Sequence, residues 1–176
     1  MKSKQTHGFS LLEILVVMVI FGVLVTIGLR TFSTSQMRAR DARRKKNLEQ
    51  VANALEMYRS DKGHYPVSDD QGRIVVYHLE DEEVVYDWND VFNDPDNQET
   101  IYMSNLPKDP SGLNYFYQAH LLNGDGTKAQ AYRVYAYLEN EHDPGRVGEA
   151  SLPDINTSCH PTLSCNYFIS TPNLTN

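Results

Sequence analysis

From Phe9 to Leu29 the chain is apolar for 21 residues and carries one charge, Glu13. As a helix this run would be roughly 31 Å long, at about 1.5 Å per residue, which matches a hydrocarbon core of about 30 Å. The run therefore predicts a membrane-spanning helix over residues 9–30. The lone carboxylate is the exception. An Asp or Lys at the centre of a span costs roughly 2.5–3.5 kcal/mol, and Glu is of similar order. Glu13 lies about one turn from the start, where it reaches the interface at lower cost. Two readings stay open: a carboxylate that snorkels to the surface, or one that pairs with a partner in an assembly.

Residues 1–8 form a short polar leader with Lys2 and Lys4. In a secretory signal the apolar region precedes a small-residue cleavage site. Here the small residue, Gly8, comes first, so cleavage after it would leave the apolar helix on the mature chain. Gly8, Phe9, then Ser10-Leu11-Leu12-Glu13 and an unbroken apolar run resemble the prepilin signal of type IV pilins and type II secretion pseudopilins. The resemblance implies cleavage between Gly8 and Phe9 by a prepilin peptidase and methylation of the new Phe9 amine. It also implies that the helix becomes the core of a helical filament, where Glu13 pairs with the Phe9 amine of a neighbouring copy. The physics agrees, because an unpaired carboxylate in a low-dielectric core is costly and an ammonium offsets that cost. Many members of the family carry a proline at the position of Arg30. Its absence leaves the backbone donors intact, and one helix from about Phe9 to about Ser60 is expected.

The spine follows. Leu48, Val51, Ala52, Leu55 and Tyr58 recur at helical spacing on one face. Asp61-Lys62-Gly63 ends the helix, with Gly63 suited to the left-handed position after the last turn, and Tyr65-Pro66 forces an extended exit. The run from Ala54 to Pro66 is similar to the helix end of major pseudopilins. The chain thus divides into a leader (1–8), a transmembrane or filament-core helix (9–30), an amphipathic spine (31–60) and a head (61–176). The expected fold class is α+β and pilin-like, a long N-terminal helix packed on a small antiparallel sheet.

Charge is unevenly spread. Residues 1–60 hold ten of the sixteen Lys and Arg against Glu13, Asp41, Glu49 and Glu56, whereas residues 61–176 hold six against nineteen acids. An acidic head does not read as a nucleic-acid binder. Arg30, Arg38, Arg40, Arg43, Arg44, Lys45 and Lys46 follow the span. The positive-inside rule alone would put their side in the cytoplasm; the prepilin-like signal and the cysteine pair point to an extracytoplasmic head. The basic cluster reads either as a solvated helix face or as a surface for anionic lipid or acidic neighbouring heads. Eleven tyrosines suit a β-rich, partly exposed head.

In the head, residues 67–105 read as a long loop region in which Arg73 to Tyr77 is a candidate strand and the acid run at 80–83 is solvated surface. Asp109-Pro110-Ser111-Gly112 is a turn by composition. Asn123-Gly124-Asp125-Gly126 reads as a hairpin turn, joining strands at 113–122 and 130–139. In the second of these, Tyr132, Val134, Ala136 and Leu138 alternate with Arg133, Tyr135 and Tyr137. Residues 166–170 are a candidate last strand. Cys159 and Cys165 are six apart: a short disulfide loop in an extracytoplasmic chain, free thiols, or a metal pair around His160. The disulfide is the expectation carried forward.

No catalytic set stands out. The six histidines are scattered, and no H-E-x-x-H, G-x-S-x-G, phosphate loop or dinucleotide fingerprint occurs. The chain is therefore not expected to be an enzyme, and no cofactor or metal is expected. Major pseudopilins carry calcium in a late loop, so the resemblance keeps calcium open, with Glu139, Glu141, Asp143, Glu149 and Asp154 as ligands. Two classes of function remain. One is a subunit that is cleaved, N-methylated and polymerised through its N-terminal helix into a pilus-like filament or a secretion pseudopilus. Its implied partners are the prepilin peptidase, other copies and minor pilins, an inner-membrane assembly platform and lipid. Its implied place is the cytoplasmic membrane, single-pass, and then a cell-surface or periplasmic filament. The other is a monomeric single-span protein whose acidic head binds a ligand.

Overall fold

The computed structural model describes residues 9–78, 82–122, 125–148, 158–160, 163–171 and 174, with the backbone alone at 27–31, 122, 125, 158 and 160. The leader with Gly8, the side chains expected to complete the span at 27–30, and residues 123–124 of the expected hairpin turn lie outside this description. So do the candidate calcium ligands Glu149 and Asp154.

The first element, α1, runs Leu11–Lys62. Ser10 starts it, its carbonyl accepting from the N–H groups of Glu13 and Ile14. Gly63 ends it at φ +81°, and its N–H closes back on the Arg59 carbonyl at 2.8 Å. That is the conformation an L side chain resists and glycine adopts freely. The chain divides into two compact units, residues 1–38 and 39–176.

The first unit is helix alone where described. Its apolar side chains are exposed all round, from 91% at Leu11 to 42% at Val25. Among the described residues no helix is long and apolar enough to cross a membrane. In the apolar run the described side chains go only from Phe9 to Thr26.

The second unit is α+β. The helical residues Leu48, Val51, Leu55 and Tyr58 are buried, together with Ala54, and form one wall of the core. The other wall is antiparallel sheet. β6 (Phe116–Leu122), β7 (Asp125–Ala136) and β10 (Tyr167–Ser170) form a sheet in the order β10-β7-β6. Tyr117 faces Val134 across β6 and β7, and Ile169 faces Val134 across β10 and β7. The pair expected at 113–122 and 130–139 is thus present with shifted limits: the first strand begins at Phe116, and the second starts at Asp125 and ends at Ala136.

The region 67–105 departs from the loop reading. It contains β1 (Val67–Ser68), β2 (Ile74–Tyr77) and β3 (Glu83–Tyr86) in one sheet, and β4 (Phe92–Asn93) with β5 (Ile101–Met103) in another. The candidate strand at Arg73–Tyr77 is β2, and the other strands here are too short for alternation to be read. In β2, Ile74, Val75 and Val76 are all buried, so even the longest of the apolar runs shows no period of two. Glu82 and Glu83, from the acid run, are exposed.

Alternation along β7 sorts its side chains between two cores. Tyr132, Val134 and Ala136 join the main one against α1. Tyr135, on the opposite face, joins Cys159 and Cys165 in a second, with Phe116, Tyr137, Val147 and Phe168 packed on it. The tyrosines correct the expectation of partial exposure, since eight of the eleven are buried. Several of the hydroxyls stay satisfied: Tyr117 donates to the Pro66 carbonyl at 2.7 Å, Tyr102 to Asp61 at 2.6 Å and Tyr135 to Gln118 at 2.8 Å. The ring supplies apolar area while the hydroxyl is paid in hydrogen bonds.

Candidate functional site

Two places carry the residues singled out from the sequence. At the N-terminal end, Phe9 is 80% exposed and Glu13 is exposed in the first turn of α1. A carboxylate in a first turn faces the positive end of the helix dipole. Among the described residues Glu13 has no ion-pair partner. Around it Leu11, Leu12, Ile14 and Leu15 are all exposed. A continuous apolar surface of this kind marks a site for lipid or protein.

The second place lies in the head, and sequence reasoning missed its centre. Arg44 has no exposed surface. Its Nε donates to Asp109 Oδ2 at 2.5 Å, its Nη2 to Asp109 Oδ1 at 3.1 Å and to Ser111 Oγ at 2.9 Å. Its Nη1 meets Asp41 Oδ1 and Glu139 Oε1, both at 2.7 Å. A guanidinium has five N–H donors, and here five acceptors surround it. Arg40 adds a second cation on Glu139 through Nε at 2.9 Å and through a close Nη2 contact with Oε2.

The carboxylates in turn hold backbone. Asp41 accepts the N–H groups of Glu139 at 2.9 Å and Asn140 at 2.8 Å, and Asp109 accepts that of Ser111 at 2.7 Å. Burial alone would lower the pKa of Arg44, but the hydrogen bonds it donates to Asp109 and Glu139, with the charge of Asp109, outweigh it, and the pKa is raised. Glu139 is pushed down to about 2, first by the Arg40 hydrogen bond and then, against its own partial burial, by Arg44. Beside this cluster Lys45 Nζ sits 2.5 Å from Asp143 Oδ1, which holds the Asp143 carboxyl below its usual range.

The basic neck is therefore not simply a solvated face. Arg43 and Lys46 are exposed, but Arg44 is sealed in and Lys45 is partly covered. The signal was in the spacing: Arg44 stands four residues before Leu48, on the same line as the apolar face.

Of the calcium ligands the resemblance implied, Glu139 and Asp143 are thus occupied by cationic side chains, and Glu141 is exposed. These residues do not fit a calcium ion. Among the described residues no group of three or more His, Cys, Asp or Glu is placed to hold a metal. Cys159 and Cys165 form a disulfide with Cα atoms 5.1 Å apart, on the face of β7 away from α1.

Residues 3–29 match the prokaryotic N-terminal methylation motif, and residues 31–150 match the family described as type II secretion system (T2SS), protein G. The chain belongs to the T2SS protein G family. Among curated relatives, the type II secretion system core protein G of Pseudomonas aeruginosa is 29% identical over 152 residues, 86% of this chain and 96% of that protein. The Vibrio cholerae core protein G is 31% identical over 117 residues, 66% of this chain and 73% of that protein. The Escherichia coli K12 core protein G is 30% identical over 111 residues, 63% and 70%. No solved structure matches the chain significantly. The pilin-like reading of the sequence thus stands, and the T2SS protein G family resolves the choice between pilin and pseudopilin that the sequence left open. The family is a structural one.

Proposed function

We propose that the chain is a pseudopilus subunit, cut between Gly8 and Phe9, methylated on the Phe9 amine and polymerised through its N-terminal helix. The observation that carries this is the apolar surface from Leu11 to Val25, exposed around the whole helix with one carboxylate in its first turn. Water does not tolerate such a surface, so it is held first by lipid, as a single span over residues 9–30 with the head extracytoplasmic, and then by the same helix of other copies in a periplasmic filament. Leaving the bilayer for a filament core costs Glu13 its access to headgroups. The Phe9 ammonium of a neighbouring copy supplies the opposite charge that offsets the cost of burying the carboxylate.

The reading also implies a prepilin peptidase that accepts Gly8, an inner-membrane platform that delivers subunits, and minor pilins at the filament end. Mass spectrometry of the N-terminal peptide from cells expressing the chain with a prepilin peptidase tests it. The expected species begins at methylated Phe9. A chain that keeps residues 1–8 in the presence of an active peptidase overturns the processing step and, with it, the exposed amine that assembly needs.

A further inference from the structure

The acidic loop after β7 is gathered onto the helix by side chains of the protein. Glu139 divides its two oxygens between Arg44, Ser111 and Arg40. Asp143 Oδ1 takes Lys45 Nζ at 2.5 Å and the Gly145 N–H at 2.9 Å. Asp41 spends both oxygens on the loop backbone and shares one with Arg44. Calcium asks for six to eight oxygens at about 2.3–2.6 Å. Here the oxygens that approach one another are already covered by N–H donors, and a fixed guanidinium sits among them. A divalent ion entering would meet a like charge and would have to strip these contacts from the oxygens it needs. The guanidinium does what such an ion would do. It draws in three carboxylates from three parts of the chain, residues 41, 109 and 139, and orders the turn and loop attached to them.

We propose that Arg44, with Lys45 beside it, replaces a bound calcium ion in this chain, so that the head folds and stays folded without a divalent cation. This does not depend on whether the chain polymerises. The test is thermal melting of the full chain in detergent, once in excess calcium chloride and once in excess EDTA. A site filled at about a hundred times its dissociation constant would raise the melting temperature by roughly 10 °C. The expected shift is within about 2 °C. A larger rise in calcium overturns the proposal, wherever in the chain the ion binds. Arg44→Met is expected to melt far lower in both buffers; melting with the wild type overturns the role given to Arg44. Should Arg44→Met not fold, Lys45→Met carries the comparison: a drop of about 2–4 °C in both buffers supports the proposal, and melting with the wild type overturns it.

Discussion

Arg44 and Asp109 meet as two matched forks, Nε to Oδ2 at 2.5 Å and Nη2 to Oδ1 at 3.1 Å, with both side chains sealed from solvent. The planar guanidinium fits the planar carboxylate in a way a single ammonium does not. The contact joins the helix to the turn at 109–112, where the Gly112 N–H closes on the Asp109 carbonyl at 3.2 Å.

Arg44→Lys tests that geometry apart from charge. The ammonium keeps the positive charge but reaches fewer of the five acceptors, leaving buried carboxylate oxygens short of donors. The expected loss is about 2–3 kcal/mol of unfolding free energy, read from urea denaturation of the full chain. An unchanged midpoint and slope would show that charge alone matters.

Acid should weaken the same cluster. Glu139 has its folded pKa pushed down to about 2 from an ordinary 4.5. The unfolded chain therefore takes up the proton first as pH falls. The contribution is fully present above about pH 5 and is lost as pH drops through about 4.5 towards about 2. For a partly exposed group it amounts to about 1 kcal/mol after solvent screening. Urea midpoints of wild type and Glu139→Gln, followed from about pH 6 to pH 2, should converge at the acid end. Parallel curves would show that Glu139 gains nothing from its partners.

Gly72→Ala should be costly for two independent reasons. Gly72 sits at φ +73°, and a Cβ there would fall on the Phe116 ring, against which no slack is left. Its carbonyl also accepts the Tyr117 N–H at 2.8 Å, so the backbone cannot retreat. A loss of about 2–4 kcal/mol is expected by denaturation. A change within about 0.5 kcal/mol would mean that the turn between β1 and β2 moves freely.

Glu13→Val removes the only charge from the apolar run. Membrane insertion should be preserved, since an apolar residue costs less there than a carboxylate. Immunoblots should show normal levels and processing, while electron microscopy of sheared filaments should show at least a tenfold fall, on the order of what losing one buried ion pair does to an association. Filaments in wild-type number would refute a pairing role for Glu13.

How far the sequence could be read follows from how regular each element is. Leu48, Val51, Leu55 and Tyr58 declare a helix face by spacing, and the alternation of Tyr132 to Ala136 declares a strand. Arg44 lay on the helix line but was hidden among Arg43, Lys45 and Lys46, where a run of charge reads as surface. Asp109 looked like a turn residue and is one, yet the same carboxylate is also the main partner of Arg44. Asp41 showed no local sign, because the Glu139 and Asn140 N–H groups it satisfies lie almost a hundred residues away. Strands such as β1 and β4, two residues each, are set by their sheet partners and not by their own sequence. The burial of both faces of β7 could not be read from β7, since its second cover comes from Cys159 and Cys165.

The wide spacing of that charge cluster also fixes an order of events. The helix leaves the ribosome first, with Asp41 and Arg44 already in place, but Asp109 follows 65 residues later and the Glu139 N–H that Asp41 receives 98 residues later. Contacts so distant in sequence reward the chain only after a long loop has been closed. Until residue 139 has been synthesised, Arg44 lacks Glu139 and has only Asp41 and, after residue 109, Asp109 of its final acidic partners. A chain stalled before that point leaves part of this cluster unpaired, and a few residues beyond β7 close it, before β10 completes the sheet.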